Sequence, residues 1–104
     1  MDNSFIAYHY SDDVHDGRLK QIEQNGEQLE VLIETVDGRL VGFEFSGVRS
    51  VDSLRPEGMV LYSISELGHP PPHRRFVFTN SDEEDEARLE VVAKEITLAE
   101  SQGK

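Results

Sequence analysis

Two turn-forming dipeptides, Asn25-Gly26 and Asp37-Gly38, each lie between runs in which apolar and polar residues alternate. A type I′ turn needs positive φ at both central positions, and Asn or Asp followed by Gly meets that need with little steric conflict. Strand-period sequence on both sides of such a turn folds back on itself. Three successive antiparallel strands are therefore predicted between about Arg18 and Phe45. In the middle one, Gln28 to Val36, the residues Leu29, Val31 and Ile33 share one face while Glu30 and Glu34 share the other. The third, Arg39 to Gly47, turns Val41, Phe43 and Phe45 inward and Glu44 outward, as a side-chain period of two requires. In the first, Arg18 to Gln24, the apolar pair Leu19 and Ile22 is spaced by three, which predicts a bulge or a late start to the strand.

Beyond this meander the signals shorten. Phe5 to Tyr10 is aromatic-rich and reads as a short strand or packed arm, and Ser11 to Gly17 as a loop. Val48 to Gly58 reads as a connection pinned by Val48, Val51 and Leu54. Met59 to Leu67 reads as a strand with Val60, Tyr62 and Ile64 inward. Three consecutive prolines make Gly68 to Arg75 a loop, and Phe76 to Thr79 a short strand after it. The final segment is ambiguous. Leu89, Val92, Ala93 and Ile96 fit a helix opened by the capping box Ser81 to Glu84, whereas Leu89-Val91-Ala93 and Ile96-Leu98 alternate as strands around a bulge. Strand is preferred, because the meander needs further strands to cover its apolar face.

The expected fold is one all-β domain over residues 1–104, an antiparallel meander of six or seven strands closed as a roll or two-layer sandwich. A helical final segment is the alternative, giving α+β.

Charge narrows the partners. The chain has 21 acidic and 10 basic residues, a net charge of −11, so nucleic-acid phosphate and anionic membrane are expected to be repelled and a basic protein attracted. The absence of cysteine removes disulfide, thiolate-metal and cysteine-nucleophile chemistry. With neither a leader pattern nor a run of about 20 apolar residues, cytoplasmic residence is the expectation. A monomer or a homodimer joined through an edge strand is expected.

The densest set of metal-ligand residue types is His9, Asp12, Asp13, His15 and Asp16. Imidazole and carboxylate suit zinc, manganese or iron, but a site needs three or four of them converging at about 2.0–2.2 Å, and no helical register enforces that here. Solvated loop polarity is the preferred account of His9, Asp12, His15 and Asp16, and no cofactor is expected. His69 and His73 bracket the prolines of a stiff, extended loop. No serine sits in a nucleophile elbow and no glycine pattern cradles phosphate, so no catalytic residue is assigned. The run Asp82, Glu83, Glu84, Asp85 and Glu86 reads as a hairpin tip able to dock a basic surface.

The string His15-Asp16-Gly17-Arg18-Leu19, followed by the meander and by Phe45-Ser46-Gly47-Val48, resembles small bacterial β-domain proteins that open with His-Asp-x-Arg-(Leu/Ile). Some proteins of that type look like toxin-immunity proteins. The resemblance implies an antiparallel sandwich or roll and carries over no catalytic residue. Read directly, Asp16 caps a turn and Arg18 pairs with it. The function expected is a non-enzymatic acidic binding module for a basic protein partner, immunity-like in form. The alternatives are a small metal-dependent hydrolase built on His9, His15 and nearby aspartates, or a carrier holding a small ligand between its layers.

Overall fold

The structure, a computed structural model, describes residues 4–10, 14–82 and 84–98. Among them the chain forms nine strands: β1 (Phe5–His9), β2 (Arg18–Asn25), β3 (Gln28–Glu34), β4 (Leu40–Ser46), β5 (Ser50–Leu54), β6 (Leu61–Leu67), β7 (Arg74–Asn80), β8 (Arg88–Ala93) and β9 (Glu95–Leu98). All pairing is antiparallel, in a five-stranded sheet ordered β1-β6-β7-β8-β5 and a four-stranded sheet ordered β2-β3-β4-β9. The two sheets lie face to face as a sandwich. No described helix is long and apolar enough to cross a membrane.

The meander is β2-β3-β4, and its inward set is Leu29, Val31, Ile33, Val41, Phe43 and Phe45, all buried. Its turns differ from the expected type I′. Asn25 pairs with Gln28, so the first turn is centred on Gly26 and Glu27, with positive φ at Gly26 (60°) and not at Asn25. That is the type II′ pattern, glycine first. In the second, Thr35 and Arg39 bond around a three-residue loop that ends at Gly38 with φ 90°. A three-residue loop closed by a residue at positive φ is the next most common hairpin connection after the two-residue primed turns. Of the two expectations for the first strand, the structure shows the bulge, between Leu19 and Gln21, with the strand beginning at Arg18.

Three segments correct the expectations. Ser50–Leu54 is a strand, paired with β8 at the sheet edge, and not a connection. Only Val51 packs on the core there, so its ladder of backbone bonds had no alternation to announce it. In β6 a bulge between Leu61 and Ser63 reverses the alternation. Leu61 and Ile64 face the core, Val60 is half-buried, and Tyr62 is turned out with 51% of its surface exposed. Arg74 and Arg75, expected in the proline loop, belong to β7, while Pro71 and Pro72 form a turn and not an extended run.

The last segment is strand throughout, and its irregularity is a change of sheet. Leu89, Val91 and Ala93 of β8 complete the inner face of the five-stranded sheet. One residue later β9 pairs with β4 in the other sheet, Phe45 opposite Ile96. Between the layers, the Phe45 ring lies 5.4 Å from that of Phe76 and 5.9 Å from that of Phe78.

Candidate functional site: a row of carboxylates across the four-stranded sheet

The two hairpin turns set the register of β2, β3 and β4, and the register sets the charges. With Asn25 opposite Gln28, Glu23 falls directly opposite Glu30. With Glu34 opposite Leu40, Glu30 falls directly opposite Glu44. Directly paired residues share a face, so three exposed carboxylates stand in one row across the outer surface of the sheet. Strand spacing of about 4.8 Å puts neighbours within strong repulsive range. Like charges in this arrangement oppose folding. None of the three has an ion-pair partner among the described residues, whereas one strand register away Lys20 lies 3.6 Å from Glu34. Beside the row is a cleft of about 230 Å³ lined by Gln21, Glu23, Glu30 and Leu32. Leu32 gives its lining an apolar part and the glutamates a negative one. Such a cleft suits a lysine or arginine side chain, whose alkyl stem prefers apolar surface while its head prefers a carboxylate.

The residues singled out from sequence are dispersed. His9, on β1, faces inward and donates from Nε2 to Glu66 Oε1 at 2.9 Å. Arg74 grips the same carboxylate with two hydrogen bonds of 2.9 Å. Arg74 also lies 5.2 Å from the centre of the Phe76 ring. The Glu66 side chain is only 8% exposed, and its pKa is held below the usual glutamate value by Arg74 first and His9 second, against burial. The charge-assisted bonds raise the pKa of Arg74 in turn. This trio ties the edge strand β1 to β6 and β7.

His15 lies elsewhere, 3.3 Å from Asp16 and 5.4 Å from the Tyr62 ring, all three exposed. Arg18 does not pair with Asp16 as expected, since it donates instead to the Gly58 carbonyl at 3.1 Å. Asp12 and Asp13 lie outside the described residues. Among the described residues no three His, Asp or Glu side chains gather to hold a metal ion.

The acidic run does cap the β7–β8 hairpin. Its aspartates are engaged in the loop's own structure: Asp82 accepts from the Glu84 amide, and Asp85 accepts from the Ala87 amide and the Asn80 side chain. Those bonds hold the Asp85 pKa low. Glu84 and Glu86 remain exposed, and Glu83 lies outside the described residues.

Reading the sequence alone placed Glu30 and Glu44 on the outer face and missed the row. Its signal was the cross-strand register, which the type I′ reading displaces: centred on Asn25-Gly26, that turn sets Glu30 opposite Gln21. Comparison of the chain with protein-family models, with curated proteins and with solved structures finds no match.

Proposed function

We propose that this chain is a non-enzymatic binding module whose carboxylate row receives lysine and arginine side chains of a basic protein partner. The observation that carries the reading is the unrelieved alignment of Glu23, Glu30 and Glu44 on an exposed sheet face. Three opposed like charges cost stability in the free protein, and a cationic partner turns that cost into attraction. The overall charge of −11 adds long-range steering, which speeds encounter with a basic surface and weakens with salt. Neutralising a basic toxin in the cytoplasm is the form of this role that the opening His15-to-Leu19 string suggests.

The test is capture of partners from the host's own lysate by the tagged chain, by a Glu23→Gln, Glu30→Gln, Glu44→Gln variant, and by a Glu84→Lys, Glu86→Lys variant. The expected result is one basic protein held by the parent chain and the tip variant, released at high salt, and absent from the row variant. Retention by the row variant with loss from the tip variant would move the contact to the β7–β8 hairpin and overturn the assignment to the row.

A further inference from the structure

The chain passes between the sheets at Gly47–Arg49, from β4 to β5, and again at Lys94, from β8 to β9. The two passages are bonded to each other and to the first hairpin. The Lys94 amide donates to Ser46 at 2.9 Å, that of Arg49 to Val92 at 2.7 Å, and that of Val48 to Glu27 at 2.8 Å. Between them lies an open cleft of about 410 Å³ lined by Glu27, Gly47, Val48, Arg49, His73 and Lys94. Gly47 has φ 63°, and a Cβ there would come within 2.8 Å of Lys94 Cγ and Cδ. Glycine thus lets the lysine stem lie directly across the loop.

The charges of this cleft stand apart from the rest of the molecule. Elsewhere, Arg18 donates to a carbonyl, and Lys20, Arg39, Arg55, Arg74, Arg75 and Arg88 each face a carboxylate. Among the described arginines and lysines, only Arg49 and Lys94 have no side-chain partner, and both line this cleft together with His73. In a chain with twice as many acids as bases, two unpaired cations lining one cleft are a marked departure.

We infer that this cleft binds a small-molecule phosphate monoester. The volume falls within the usual range for small-ligand sites, about 300–1,000 Å³. A guanidinium fork grips two oxygens of an oxyanion at once, and an ammonium and an imidazole N–H supply further donors. Two full cations and an imidazole match a dianion with three terminal oxygens better than a carboxylate, which offers one charge and two oxygens. Glu27, which also lines the cleft, can accept a hydrogen bond from a hydroxyl of the ester's alcohol portion and disfavours a second anionic group there. The protein's overall negative field is screened beyond about 8 Å at physiological salt, so the neighbouring cations govern the site. None of these residues belongs to the carboxylate row, and the inference stands apart from the proposed docking role.

The test is a two-dimensional NMR titration of the backbone amides at constant ionic strength, with glycerol 3-phosphate, inorganic phosphate and acetate as probes. Saturable shifts at Gly47, Arg49 and Lys94 are expected with glycerol 3-phosphate, which should bind at least as tightly as inorganic phosphate and more tightly than acetate. Arg49→Gln and Lys94→Gln should each weaken binding about tenfold or more, as loss of a charge-assisted hydrogen bond does. Arg88→Gln, which removes a cation paired with Asp52, should not, and each variant's spectrum reports directly that it is folded. Shifts that fail to saturate, acetate binding as tightly as the ester, inorganic phosphate binding more tightly than the ester, or undiminished binding in Arg49→Gln would overturn the assignment.

Discussion

At the scale of single residues, Glu66 carries the largest local consequence. It is a nearly buried carboxylate held by Arg74 and His9, and its pKa is lowered, so the folded state binds its proton less readily than the unfolded chain. The stability this confers is present above the usual glutamate value of about 4.3 and drains away as pH falls through the lower folded-state value. Chemical denaturation from about pH 6 down to pH 3 should therefore show a steeper loss for the parent chain than for Glu66→Gln. Glu66→Ala, which strands Arg74 and His9, should cost about 1–2 kcal/mol at neutral pH, less than for a fully buried pair because the Arg74 side chain is 38% exposed. His9 could be named from sequence as a polar residue of interest. Its partners could not, because they are joined to it only by the pairing of β1 with β6 and of β6 with β7. Gly47 is a second pressure point. Gly47→Ala meets both a positive φ and the Lys94 stem, and should lower the unfolding free energy by about 1 kcal/mol or more.

At the scale of elements, the sequence was most readable where apolar residues must meet across a ladder. The apolar faces of β3 and β4 match in the observed register, with Leu29 opposite Phe45, Val31 opposite Phe43 and Ile33 opposite Val41. A type I′ turn on Asp37-Gly38 would set Glu30 against Phe45, so face matching outranks the local preference of the dipeptide. A one-residue slip would turn one strand's apolar side chains to solvent. The all-β class and the inward set of the meander were legible for that reason. Where one residue changes the pleat, legibility failed. The β6 bulge exchanged Tyr62 for Leu61 in the core, and Lys94 moved the chain to the other sheet between two apparently continuous strands. This assignment has a direct check in thermal or urea unfolding: Leu61→Ala should destabilise by about 2–4 kcal/mol, and Tyr62→Ala by well under half of that. Equal effects would contradict the bulged register. The carboxylate row lay beyond reach by the same logic, since it exists only once both hairpin registers are fixed to the residue.

For the whole molecule, charge is the property on which the proposed docking role rests. A net charge of −11 on a chain of 104 residues resists compaction, and salt relieves that repulsion. Most acids are dispersed or paired. The row of Glu23, Glu30 and Glu44 concentrates that repulsion at one place on a rigid sheet, which is where a partner would gain most from relieving it. On the proposed docking role, this row is kept against its own repulsion. Urea unfolding of the Glu23→Gln, Glu30→Gln, Glu44→Gln variant tests it most directly. Its comparison is a Glu57→Gln, Glu84→Gln, Glu86→Gln variant that removes as much charge from exposed positions off the row. The row variant should be more stable than the parent by about 0.5–1 kcal/mol at low salt. It should exceed the comparison variant, and the gap should close near 1 M salt, where the screening length falls to about 3 Å. A row variant no more stable than the comparison variant at low salt would contradict it.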